Sequence, residues 1–148
     1  MRSEIEAAVA RAGAPGSVRL LGGVDDELRE LLLRGADISV LPNIRVTGDM
    51  EGFGLVAVES ASRGALVLAA RLEGITDAVI DGETGILVEP ERADGFVETI
   101  RALSVDRARL VRLAAEYQGE ALRRFSVERM ARELPSAIGL TEGPGPID

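Results

Sequence analysis

The pentapeptide Leu66-Val67-Leu68-Ala69-Ala70 constrains the fold most, because it carries no polar side chain on either alternating face. A strand with one wetted face alternates apolar and polar residues, whereas a strand covered on both faces reads as a continuous apolar run. Gly64 and Gly74 lie close on either side and keep the run too short for a buried helix. Two further segments read as strands: Asp37-Ile38-Ser39-Val40-Leu41, stopped by Pro42, and Ile86-Leu87-Val88, followed by Pro90. Helical stretches separate all three. The expected fold class is therefore α/β, a Rossmann-like parallel sheet with helices on both faces. Such a sheet binds ligands at the carboxyl ends of its strands. Here those ends lead into residues 43–54, 71–75 and 22–24.

The remaining elements follow from periodicity and breakers. Residues 2–12 read as an amphipathic helix with Ile5, Ala8, Val9 and Ala12 on one face, broken by Gly13-Ala14-Pro15-Gly16. Residues 17–21 read as a strand and Gly22-Gly23 as a turn. Asp25 or Asp26 can cap a helix over 27–34, with Leu28, Leu31 and Leu32 inward. A helix is expected over 53–63, closed by Gly64, and a short one over 76–80. Asp81-Gly82-Glu83-Thr84-Gly85 reads as a turn. Helices are expected over about 91–103, 107–124 and 127–137. The stripe Leu110, Leu113, Ala114, Tyr117 and Ala121 reads as core packing. Residues 1–137 are expected to form one domain, and residues 138–148, rich in Gly and Pro, a disordered tail.

Composition excludes several chemistries. The chain has no Cys and no His, so disulfides, thiol nucleophiles, the usual zinc sites and Ser-His triads are ruled out within it. It also has no Lys, so every basic side chain is Arg, and no P-loop of the Gly-Lys type is present. A formal net charge of −8 argues against a general nucleic-acid or anionic-membrane surface. A local phosphate site remains compatible with it. With no signal peptide and no apolar run of spanning length, the expected location is the cytoplasm, with a peripheral place at the inner membrane face through a partner as the variant.

Residues 49–64 carry the most chemistry. Glu51 and Glu59 bracket Gly52-Phe53-Gly54, which runs straight into an apolar helix. Bare backbone N–H groups at a helix start form a ready anion site. One carboxylate stands beside it and the other lies two turns along the helix. A sugar joined to a diphosphate and a ribose needs this combination of donors and acceptors. The spacing alone proves little, since it recurs at Glu83/Glu91 and Glu120/Glu128. The plainer reading has Gly52 and Gly54 permitting a turn, Glu51 favouring a helix start, and Glu59 solvated. Arg71-Leu72-Glu73-Gly74-Ile75-Thr76-Asp77 is a second candidate, for which the plainer reading is that Thr76 or Asp77 caps a short helix. Asp49 is a further carboxylate in the first loop.

Taken together, these segments resemble the carboxyl-terminal, donor-binding domain of GT-B glycosyltransferases, specifically the retaining enzymes of family 4. The resemblance spans about residues 16–137. It is carried by Val18-Arg-Leu-Leu-Gly22, Ala36-Asp-Ile-Ser-Val-Leu-Pro42, Glu51-Gly-Phe-Gly-Leu-Val-Ala-Val-Glu59, Glu73-Gly-Ile-Thr-Asp77, Asp81-Gly-Glu-Thr-Gly-Ile-Leu-Val88 and Arg124-Phe-Ser126. It implies a nucleotide-sugar donor, a UDP- or GDP-sugar, used without a bound metal. By the resemblance Glu51 is the catalytic carboxylate facing the donor sugar. Gly52, Phe53, Gly54 and Leu55 meet the sugar or diphosphate, Gly74 and Ile75 line the sugar pocket, Glu59 accepts from the ribose hydroxyls, and Gly23 and Val24 lie near the base.

The departures are specific. The family's first carboxyl-domain strand, with its diphosphate-neutralising Arg and Lys, would precede Met1, and the acceptor-binding amino-terminal domain is not in this sequence. Asp77 stands where the family more often has Glu, and Val127 where it often has Trp. Two readings follow. One is the donor half of a hexosyltransferase acting in polysaccharide, glycolipid or glycoconjugate synthesis, completed by an amino-terminal domain on another polypeptide. The alternative is a non-catalytic binding or interaction module derived from such a domain. An exposed sheet edge would make a homodimer possible.

Overall fold

The computed structural model describes residues 2–13, 16–45 and 53–137. Along the chain the elements are α1 (Arg2–Arg11), α2 (Asp26–Gly35), β1 (Ile38–Leu41), α3 (Leu55–Ser62), β2 (Leu66–Ala70), α4 (Ile75–Ala78), β3 (Ile86–Val88), α5 (Ala93–Val105), α6 (Arg107–Arg124) and α7 (Val127–Ala137). The three strands form a parallel sheet in the order β1-β2-β3. The register sets Ile38 opposite Leu66 and Leu68 opposite Ile86.

The apolar pentapeptide sits at the centre. All five β2 residues are fully buried, as a strand covered on both faces must be. Ala57, Ala61, Ile75, Ala78 and Val79 pack against it with Phe96. Leu103, Leu110, Ala114 and Tyr117 gather around Leu66. The stripe expected on α6 is thus core, with Leu113 partly buried beside it. Small residues on α3 let the helix lie close to the sheet, and Ser39 Oγ on β1 donates to Ser60 Oγ on α3 at 2.9 Å. Burial would penalise either hydroxyl if it were left alone. Gly85 permits a second close approach. A Cβ there would stand 2.7 Å from Val79 Cγ1 and 2.9 Å from the Val67 carbonyl oxygen.

The amino-terminal third departs from expectation. Residues 17–21 form no strand; a strand exists only through a paired neighbour, and the described residues supply none there. Helix α2 forms, capped by Asp25, whose Oδ1 accepts from the Leu28 amide at 2.8 Å. Its apolar stripe, expected to face inward, is exposed instead, with Leu31 at 66% of its full accessibility. Neither α1 nor α2 contains a buried residue. Gly35 lies within α2 rather than beyond it. The expected tail, residues 138–148, lies outside the described residues. No described helix is long and apolar enough to cross a membrane.

Candidate functional site

The site is built at the carboxyl ends of β1 and β2. Gly54 is the N-cap of α3 and adopts a left-handed conformation, with φ 71° and ψ 42°. A residue with a Cβ is strained in that region. Its backbone lies against the start of α4: a Cβ built there would meet Ala78 Cβ at 3.5 Å and Ile75 Cα at 3.6 Å. Gly74 in turn is the N-cap of α4. Neither start carries a side-chain cap. In the first turn of α3 the Ala57 amide donates to the Gly54 carbonyl at 2.8 Å, which leaves the amides of Leu55 and Val56, without an acceptor one turn back, as the donors for solvent or ligand. Phe53 packs edge-on against Phe125, with ring centroids 5.9 Å apart and planes at 76°. Leu55 and Val56 are exposed beside it.

Glu59 lies one turn further along α3 and meets α2. Arg29 Nη1 donates to Glu59 Oε2 at 2.9 Å, and Arg29 Nη2 lies 3.4 Å from Asp26 Oδ1. The Arg29 and Glu59 side chains retain 48% and 33% of their accessibility. A second pair, Arg63 Nε to Glu30 Oε2, joins the same two helices. Hydrogen bonds from Arg63 and then Arg34 hold the Glu30 carboxyl below its ordinary range.

Gly54 and Ile75, from the two segments singled out in the sequence, are therefore neighbours in space, close enough that a Cβ on Gly54 would touch Ile75, with Phe53, Leu55 and Gly74 beside them in the chain. Glu59 shares their helix. Gly23 and Val24 immediately precede the Asp25 cap, so α2 links them to Glu59. Asp49, Glu51 and Gly52 lie outside the described residues. The capping expected of Thr76 or Asp77 does not occur, because α4 begins at Ile75 and Gly74 fills the cap position. Arg71 is not a free phosphate anchor. Asp81 and Glu89 accept from it at 2.7 and 3.2 Å, and the Asp81 bond leads in raising its pKa further. Asp81 also accepts from the Leu87 amide at 2.9 Å, which fixes the turn before β3. Among the described residues no group of three or more Asp or Glu side chains is placed to hold a metal ion.

Sequence reasoning missed Arg29. It sits 30 positions from Glu59 on an element with no chemical signature of its own. Only the docking of α2 on α3 reveals the pair.

Comparison with known proteins places this geometry. The family profile described as glycosyl transferases group 1 matches residues 1–120. D-inositol 3-phosphate glycosyltransferase of Rhodococcus erythropolis is 34% identical over 120 residues, covering 78% of this chain and 26% of that protein. The protein of the same name from Geodermatophilus obscurus is 34% identical over 134 residues, covering 90% and 28%. The chain thus spans about a quarter of the length of these relatives. Among solved structures, HepE of Anabaena in complex with UDP is similar at a TM-score of 0.80 and 24% identity, over 95% of this chain and 37% of that one. The C-terminal domain of a glycosyl transferase group 1 family protein from Francisella tularensis is similar at 0.74 and 24% identity, over 85% and 63%. Sucrose-phosphate synthase of Thermosynechococcus elongatus is similar at 0.76 and 28% identity, over 93% and 33%.

Proposed function

From the premise that this chain belongs to the glycosyl transferases group 1 family, we propose that it is the nucleotide-sugar-binding part of a retaining, family 4 glycosyltransferase of the hexosyltransferase kind. The observation that carries this reading is the close approach of the left-handed Gly54 start of α3 to Ile75 at the start of α4, with Glu59 on the same helix as Gly54. Exposed amides at the α3 start suit the diphosphate of a UDP- or GDP-sugar, and a carboxylate farther along suits the ribose diol. The UDP complex of the HepE relative supports trying UDP-sugars first.

In this reading Gly52, Phe53, Gly54 and Leu55 meet the sugar and diphosphate. Gly74 and Ile75 line the sugar pocket, Glu59 accepts from the ribose, and Gly23 and Val24 approach the base. Glu51 faces the reacting carbon as the catalytic carboxylate. The bond from the anomeric carbon to the diphosphate oxygen breaks, releasing the nucleoside diphosphate, and a bond from that carbon to an acceptor oxygen forms with configuration kept, the acceptor's proton passing to the departing diphosphate. The helix-start amides stabilise charge gathering on the leaving phosphate. No metal is assigned to the site. The acceptor side belongs to a separate GT-B amino-terminal domain, and the relatives' activity puts D-inositol 3-phosphate first among acceptors to try. Work of this kind belongs in the cytoplasm, where nucleotide sugars are made.

Calorimetric titration with UDP, GDP and their sugars tests the reading. Binding of one nucleotide series is expected, weakened about tenfold or more by Glu59→Ala, the loss anticipated for a hydrogen bond to a charged group. Affinity unchanged by that substitution would remove the ribose assignment. The alternative, an interaction module, is favoured by one observation: among the described residues nothing covers the apolar stripe of α2 or the outer edge of β1. Partner binding without nucleotide binding would decide for it.

A further inference from the structure

We propose that Arg29 is a positioning residue for nucleoside recognition, holding the Glu59 side chain in a fixed rotamer before the ribose arrives. The inference rests on the assignment of Glu59 to the ribose. The Arg29 guanidinium donates to Glu59 Oε2 at 2.9 Å and reaches toward Asp26 Oδ1 at 3.4 Å. It is therefore anchored on α2 while it grips α3. A carboxylate accepts about four hydrogen bonds, so the pair leaves Oε1 and a lone pair of Oε2 for a diol. A partly exposed glutamate without such a partner would lose rotamer freedom on binding, at a direct cost in affinity. A second pair, Glu30 with Arg63, ties α2 to the end of α3 separately.

The arrangement has a further consequence. Gly23 and Val24, read as lying near the base, sit at the amino end of the helix that carries Arg29. One element thus presents the base-side loop and orients the ribose acceptor, so base and ribose recognition are coupled through α2.

The test is calorimetric titration of the full chain with UDP and with 2′,3′-dideoxyuridine diphosphate, which lacks the hydroxyls that Glu59 would accept. Arg29→Ala is expected to weaken UDP binding about two- to fivefold, the range of a partly exposed ion pair. Arg29→Lys should restore it to within about twofold, since one ammonium can still reach Oε2. Arg29→Glu should weaken it more than Arg29→Ala. None of the three should change dideoxy-analogue binding. Glu30→Gln is the structural control, loosening the neighbouring pair while leaving UDP affinity unchanged.

Each outcome decides. Equal effects of Arg29→Ala on both nucleotides would show that Arg29 acts on the phosphates or the fold, and the proposal falls. If Glu59→Ala weakens UDP binding but Arg29→Ala does not, the ribose assignment stands and the positioning role falls. If Glu59→Ala changes nothing, or the chain binds neither UDP nor GDP, the ribose assignment fails for this chain and takes the positioning role with it; a chain that binds GDP alone is put through the same comparison with GDP and its dideoxy analogue.

Discussion

Gly54 and Gly85 are both glycines the fold cannot easily replace, for different reasons. At Gly54 the constraint is the backbone: φ is 71°, while a Cβ would find ordinary van der Waals distances of 3.5 and 3.6 Å to Ala78 and Ile75. Gly54→Ala should cost about 1–2 kcal/mol, the penalty of a left-handed residue with a Cβ, and Gly54→Asn less. At Gly85 the constraint is space. A Cβ would collide with Val79 and with the backbone oxygen of Val67 in a fully buried strand, so Gly85→Ala should cost about 1–3 kcal/mol. Urea denaturation of the three variants checks both arguments. A Gly54→Asn variant no more stable than Gly54→Ala would show that the left-handed backbone is not the cause. The requirement at Gly54 was legible because it is local, fixed by one residue's own φ and ψ. The Arg29–Glu59 pair was not, because which arginine reaches a given glutamate is settled only when two helices dock.

Elements were legible where the described chain supplies the surface they pack on. β2, β3 and α6 fall where apolar runs and a 3.6-residue stripe put them, because the surfaces that bury them belong to the described chain. Residues 17–21 and the stripe of α2 carry equally clear apolar patterns, yet the first forms no strand and the second buries nothing. An apolar pattern says that a face requires cover without saying what covers it. The energetic consequence is testable. Leu31→Gln should change stability by no more than about 0.5 kcal/mol, as exposed positions do, whereas Leu68→Ala at the centre of β2 should cost about 2–5 kcal/mol.

Charge ties elements together too. Arg107 at the start of α6 donates to both Asp37 carboxylate oxygens at 3.0 Å, just before β1. That hydrogen bond, then the charge of Arg107, holds Asp37 below its ordinary value of 3.8. A carboxyl depressed on folding contributes stability above its unfolded value and loses it as pH falls through the folded one. The stability gap between the parent chain and Asp37→Asn should therefore be widest near neutral pH and close as the pH drops below 3.8. Denaturant titrations at several acid pH values measure that gap. A gap that stays constant into acid would exclude the pair as its source.

At the scale of the whole molecule two surface properties oppose each other. The outer edge of β1 has no strand beside it among the described residues; Val40 on that strand is exposed, as are Leu28, Leu31 and Leu32 on α2. A bare edge with apolar surroundings is a template for pairing with another chain. A net charge of −8 repels a second copy. Long-range repulsion between exposed charges is screened by salt, while strand pairing and apolar contact are not weakened by it. The chain should therefore be mainly monomeric in dilute, low-salt buffer and associate as concentration and salt rise, the reverse of an assembly held by ion pairs. Val40→Lys places a charge on the edge strand, a device that blunts such edges. It should abolish the association while changing the melting temperature little, because Val40 is already exposed. Sedimentation velocity over a concentration series at low and high salt reads this directly. A monomer under every condition would mean that the edge is closed in solution by the chain itself. Association that weakens with salt would mean that the contact is electrostatic and lies elsewhere on the surface.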